Sequence, residues 1–139
     1  MSDENLEVVR RLYEAVARRD TEAALALYHP DVEFDGRRHR WSELISGSQR
    51  FRGIEALRDW AREYYSAWED LDDHLDEVID AGGDQVISIV TTRGRGRASG
   101  VDVELAGSAG VWTIHDGQIT KVVWYSSPEE AFEAARLRR

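Results

Sequence analysis

Cysteine is absent from this chain, and lysine occurs once, at Lys121. The first absence excludes disulfides, thiolate nucleophiles and zinc sites built on cysteine. The second leaves positive charge to arginine, and acids still outnumber bases, 27 against 18, for a formal net charge of −9 and a pI near 4.9. A field of that sign repels phosphate backbones and anionic lipid surfaces, so neither nucleic acid nor membrane is an expected partner. The opening SDENLEVVRR carries no apolar signal core, and nowhere is there the run of about eighteen apolar residues that marks a spanning helix. A cytoplasmic protein is the expectation. Glycine-rich phosphate loops, nucleophile elbows and dinucleotide fingerprints are missing. The four histidines are scattered with no i, i+4 pair, so neither a metal nor a cofactor is expected.

What is present suits one globular domain spanning residues 1–139, at 42% hydrophobic composition. From Asn5 to Arg18, Leu6, Val9, Leu12, Tyr13 and Val16 recur at spacings of three and four, the stripe of an amphipathic helix. A second helix is expected from a cap at Asp20 or Thr21 to a stop at Pro30. DVEFD then alternates as a short strand, with Val32 and Phe34 on one face and Glu33 and Asp35 on the other. Residues 36–52 lack a clean period and read as a long loop. A third helix is expected from Gly53 to Glu69, with Trp60, Tyr64 and Trp68 on one face.

After the acidic segment EDLDDH the period changes to two, and strands are expected over 74–80, 85–97, 101–115 and 118–126. Asp116-Gly117 marks a tight hairpin, because its turn needs positive φ. Ser127-Pro128-Glu129-Glu130 opens a C-terminal helix with a capping box. Between two of these strands lies TTRGRGRASG, residues 91–100, whose alternating arginines resemble an RNA-binding tail. Such tails are disordered and set in basic sequence. This one is internal and strand-flanked, so it reads as the end of a strand with Arg93, Arg95 and Arg97 on one face. Which face is left open, since Gly94 and Gly96 permit a bulge.

The segments RLYEAVARRDTEAALALYHPDVEFD, FRGIEALRDWAREY, SGVDVEL and GVWTIHDGQITKVVWYSSPEEAFEA resemble the SnoaL-like branch of the nuclear transport factor 2-like (NTF2-like) superfamily over nearly the whole chain. The resemblance implies an α+β cone, a curved antiparallel sheet wrapped around three N-terminal helices with a short C-terminal helix. It also implies a cavity and a homodimer packed through the sheets. Ketosteroid isomerases, polyketide cyclases, dehydratases, epoxide hydrolases and noncatalytic binding modules share that fold, so fold does not select function. Matching the isomerase pattern puts its tyrosine on Leu12, beside Tyr13, its base on Gly36, beside Asp35, and its late acid on Ala109. All three depart from the pattern, and classical steroid isomerisation is not expected. The acids and arginine of an epoxide hydrolase find counterparts only in Arg97, Asp102 and Glu104, around an exposed turn.

Several side chains are candidates, each beside a plainer reading. Trp124 and Ser126 belong to the expected concave set of the last strand, and Trp124 serves equally as core. Trp60, Tyr64 and Trp68 wall a cavity or fill it. In the long loop, Trp41 is a ligand contact and His39 a proton carrier, because histidine titrates near neutrality; the neighbouring arginines suit a solvated loop as well. Asp35 becomes a base if it turns inward and loses solvent, and otherwise ends its strand in water. Arg93 binds an anionic group if it reaches the cavity. The reading that follows is a protein handling a small hydrophobic molecule. Its catalytic form is cofactor-free acid/base isomerisation, cyclisation or dehydration of a carbonyl or polycyclic compound, with Asp35 or His39 moving the proton and Ser126 or an arginine steadying negative charge. The alternatives are a noncatalytic ligand-binding module and a dimeric interaction module.

Overall fold

A computed structural model describes residues 2–39 and 50–136. Helix α1 (Ser2–Ala17) buries Val9 and Leu12 of the expected stripe together with Val8 and Ala15, while Leu6, Tyr13 and Val16 are partly buried against the same core. Helix α2 (Thr21–Leu25) starts where Asp20 accepts a hydrogen bond from the Ala23 amide at 3.1 Å. It stops well short of Pro30, because Tyr28 already belongs to strand β1 (Tyr28–Asp35). The ladder of β1 shifts register between Tyr28 and Glu33, so Pro30, which has no amide to donate, sits where the pairing is interrupted. Strand β2 (Arg50–Arg52) lies inside the expected loop and lays Phe51 against Phe34, ring centroids 4.7 Å apart.

Helix α3 (Ile54–Ser66) ends before Trp68, which opens strand β3 (Trp68–Gly82). The acidic segment expected to break the chain is thus the first half of a long strand. Strands β4 (Gln85–Gly96), β5 (Asp102–His115) and β6 (Gln118–Tyr125) lie within a residue or so of their expected bounds. Asp116 and Gly117 both take positive φ in the last hairpin. Helix α4 (Pro128–Ala134) carries its capping box, the Ser127 hydroxyl accepting from the Glu130 amide at 3.3 Å.

The six strands form one curved sheet in the order β2-β1-β6-β5-β4-β3. Neighbours are antiparallel except for β1, which runs parallel to β6 and makes the sheet mixed. Its concave face packs Val86, Trp112, Ile114 and Val122 against residues from α1, α2 and α3. On the convex face Ile87, Ala109 and Val111 pack with Ala131 and Phe132 of α4. No helix among the described residues is long and apolar enough to cross a membrane.

The arginine run falls on the side away from the cavity. Arg93 stands opposite Glu104 and Arg95 opposite Asp102, with ion pairs of 3.1 and 2.9 Å. Gly94 faces inward between them, where an added Cβ would lie 3.0 Å from the Trp68 ring and 3.1 Å from Leu71. Arg97 donates to the carbonyls of Ser66 and Trp68 at 3.0 and 2.9 Å, fastening the turn between α3 and β3.

Candidate functional site

A cavity of about 160 Å³ lies between the concave face and the helices. Helix α1 contributes Leu12, Tyr13 and Val16, and α3 contributes Leu57, Trp60 and Tyr64. The sheet supplies Phe34, Val90, Leu105, Trp112 and Trp124. These rings are packed on one another. Trp60 stacks on Tyr64 at 5.0 Å and tilts against Phe34 at 4.8 Å, while Trp112 meets Trp124 edge-on at 5.8 Å. Such offset and edge contacts hold aromatic walls rigid. Gly110 gives Trp112 and Trp124 their room, since a Cβ there would fall 2.9 Å from the Trp112 nitrogen.

Polar groups enter this wall at a few points. Ser88 is fully buried and accepts from the Trp112 indole N–H at 2.8 Å, with the Tyr13 hydroxyl 3.4 Å away. Burial pushes Tyr13 well above the ordinary tyrosine range. On β5, Gly107 takes positive φ where the β4–β5 register shifts. The residue after this bulge, Ser108, faces the cavity and lies 2.9 Å from His39 Nε2. His39 comes from the chain beyond β1, in a turn closed by its own amide donating to the Gly36 carbonyl at 3.1 Å.

The remaining polar group is an acid that the sequence reading passed over. Asp73 lies on β3 opposite Thr92, lines the cavity, and accepts from the Thr92 hydroxyl at 2.7 Å. Loss of solvent raises its pKa, and this outweighs the hydrogen bond from Thr92 and the more distant charge of Arg19. Tyr64 and Tyr65 also line this part of the wall, and burial raises both. Arg19 donates to the Leu71 carbonyl and stands 5.4 Å from the centre of the Tyr65 ring, so its charge is partly engaged.

Asp35 has a different situation. It is 7% exposed but does not line the cavity, where Gly36, the next residue, does. Its carboxylate accepts from the Arg37 amide, Nε and Nη2 at 3.0, 2.9 and 2.8 Å. Those bonds hold the Asp35 pKa below the ordinary carboxylate value despite burial. The clamp precedes the turn that carries His39, so Asp35 shapes the entry of that histidine into the cavity.

Of the candidates named from sequence, His39, Trp60, Tyr64 and Trp124 meet around the cavity. Trp68 packs against Gly94 outside the lining, Ser126 follows the end of β6, and Arg93 is 62% exposed beside Glu104. Trp41 lies outside the described residues. Ala109, where counting put the late acid, packs on the convex side with Ile87 and Val111, and its neighbour Ser108 is the residue that faces in. Asp73, Ser88, Thr92 and Ser108 had one sequence signal, period-two alternation with apolar neighbours, and in β3 the surrounding acids mask it. Among the described residues no group of three metal-ligating side chains converges.

The family model of the SnoaL-like domain matches residues 9–122. No curated protein matches the sequence. Among solved structures, an NTF2-like protein of unknown function from Burkholderia pseudomallei superposes with a TM-score of 0.78 at 22% identity, covering 94% of this chain and 95% of its own. A Mycobacterium tuberculosis protein in complex with estradiol-17beta-hemisuccinate gives 0.72 at 19% identity, covering 91% and 95%. A candidate polyketide cyclase from Xanthomonas campestris gives 0.70 at 20%, covering 96% and 97%.

Proposed function

The chain belongs to the SnoaL-like domain family, and from that membership we propose that it binds a small, largely apolar, oxygen-bearing molecule and moves a proton on it without a cofactor. The observation that carries this reading is the His39–Ser108 pair in the wall of an aromatic cavity that also holds Asp73, a carboxyl whose pKa burial raises. An imidazole is the natural acceptor of a carbon-bound proton, and the Ser108 hydroxyl beside it can donate to the oxyanion that develops on the neighbouring carbonyl. Tyr13 assists. Since the Trp112 indole can only donate to Ser88, the Ser88 proton is free to turn to the Tyr13 oxygen, which leaves the phenolic proton for a ligand. The relative bound to a steroid and the candidate cyclase support the substrate class: a polycyclic or polyketide-like carbonyl compound.

A binding module without turnover is the second reading, favoured by the clamp that takes Asp35 out of chemistry. Estrone separates the two, because the protons beside its ketone exchange in D2O only if a base removes them. Exchange with the wild-type protein, reduced at least tenfold in His39→Ala, is the expected result. Binding of estrone with no exchange above buffer would leave the binding module. A homodimer is part of the proposal, with Ile79, Ile89 and Tyr125 beside α4 on the convex face as its contact, and light scattering at the monomer mass would remove it.

A further inference from the structure

Besides the Tyr13–Ser88 pair, two polar clusters stand apart in the cavity wall, and their spacing on the sheet carries information about the ligand. One group is Asp73 with Thr92, on β3 and β4. The other is Ser108 with His39, on β5 and the chain after β1. Thr92 pairs with Leu105, and Ser108 pairs with Val90, two residues along β4 from Thr92. Asp73 and Ser108 are therefore two strand spacings apart across the sheet and two residues apart along it. Strands about 4.8 Å apart and a rise of about 3.3 Å per residue put their Cα atoms about 12 Å apart on a flat sheet. Curvature of the concave face brings the inward side chains closer, to roughly 10 Å. Between them the wall is apolar: Val90 and Leu105 on the sheet, Leu12 and Leu57 on the helices facing it.

We propose that the ligand is an elongated apolar molecule with an oxygen function at each end, about 10 Å apart, one bonded at Asp73 and the other at Ser108–His39. This rests on the small-molecule reading above and specifies it. Each pole has spare hydrogen-bonding capacity. Thr92 occupies Asp73 Oδ1 and leaves Oδ2. The bond between Ser108 and His39 uses one of the directions open to the Ser108 hydroxyl. A ligand oxygen at either pole replaces water by a fixed partner, and a ligand lacking it leaves a desolvated polar group unmatched, which is where discrimination arises. A single ring is too short to meet both poles.

The probes are 4,4′-dihydroxybiphenyl, 4-hydroxybiphenyl, biphenyl and hydroquinone, with affinities measured by calorimetry on the whole protein. The expected result is that the diol binds at least tenfold tighter than 4-hydroxybiphenyl, and hydroquinone weakest of the oxygenated probes. In both Ser108→Ala and Asp73→Leu the diol falls to the affinity of the mono-ol, while the mono-ol, free to turn end for end, keeps its wild-type affinity within about threefold. That readout does not follow from a folding defect, which would weaken both probes together. Equal affinity of biphenyl, mono-ol and diol would overturn the two-pole proposal and leave the binding reading in place. A diol preference that survives both substitutions would overturn it too, and binding of none of the four would sink both.

Discussion

Two carboxyl groups at opposite sides of the sheet are shielded from water, and their pKa values are shifted in opposite directions. Asp35 ends β1 with little exposed surface, yet three hydrogen bonds from Arg37 hold its pKa down. Asp73 on β3 has one hydroxyl partner and an arginine engaged elsewhere, and burial lifts its pKa. Burial alone therefore does not decide the state of an acid; the partner does. The same difference separates structure from chemistry. A carboxylate saturated by guanidinium has nothing left to offer a ligand, whereas one tied by a single hydroxyl at a cavity wall has.

The largest expected effect comes from breaking the saturated corner. Asp35→Ala removes charged hydrogen bonds and frees the turn before His39, and should cost about 2 kcal/mol at neutral pH by urea unfolding. Because the folded pKa of Asp35 is depressed, its stabilisation is present above the ordinary carboxylate value and lost as pH falls through the folded one. The variant should thus be less acid-sensitive than wild type. His39 ring signals in NMR should also move in the variant, since the Ser108 contact depends on the turn; unmoved signals would separate the clamp from the cavity.

Asp73→Asn is the converse test and a smaller one. Here the folded pKa is raised, so the contribution of Asp73 is fully present below the ordinary carboxylate value and lost as pH rises through the folded one. Asparagine does not titrate. The variant's stability relative to wild type should accordingly increase from pH 4 to pH 8, opposite in sign to the acid-limb change in Asp35→Ala. A difference independent of pH would mean that Asp73 is solvated in the folded protein.

The contrast between the two corners also marks what was readable in the chain. Period and turn chemistry placed α1, α4 and strands β4 to β6, because each carries a single clear signal. They misplaced the region around β3, where Trp68, Leu71 and Asp73 lie on a strand and not at a helix end followed by a break. The outward residues of that edge strand, Asp72, His74 and Asp76, are charged or polar, as befits an edge that must not pair. Their charge hides Asp73, one acid among several. Strand β2 and the early end of α2 were missed because both depend on partners, Phe34 for the one and Ile119 for the other, that lie far away in sequence. Resemblance put the base position on Gly36, which lines the cavity but has no side chain, and so drew attention to its neighbour Asp35, which does not; it put the late acid on Ala109, one residue from the lining residue Ser108. In a strand one residue is the difference between inside and outside.

Arg93 gives the smallest effect and a sharp control, since it lies one position from a pole residue, Thr92, and faces the other way. Its partner Glu104 is 58% exposed, and such pairs sit in water that screens them. Arg93→Ala should change stability by no more than about 0.5 kcal/mol and leave the affinity for 4,4′-dihydroxybiphenyl unaltered, whereas Thr92→Val, which strips the hydroxyl from Asp73, should weaken the diol. Equal losses of affinity in the two variants would mean that the strand's two faces are not distinguished by the ligand and that the arginine run, for all its exposure, belongs to the site.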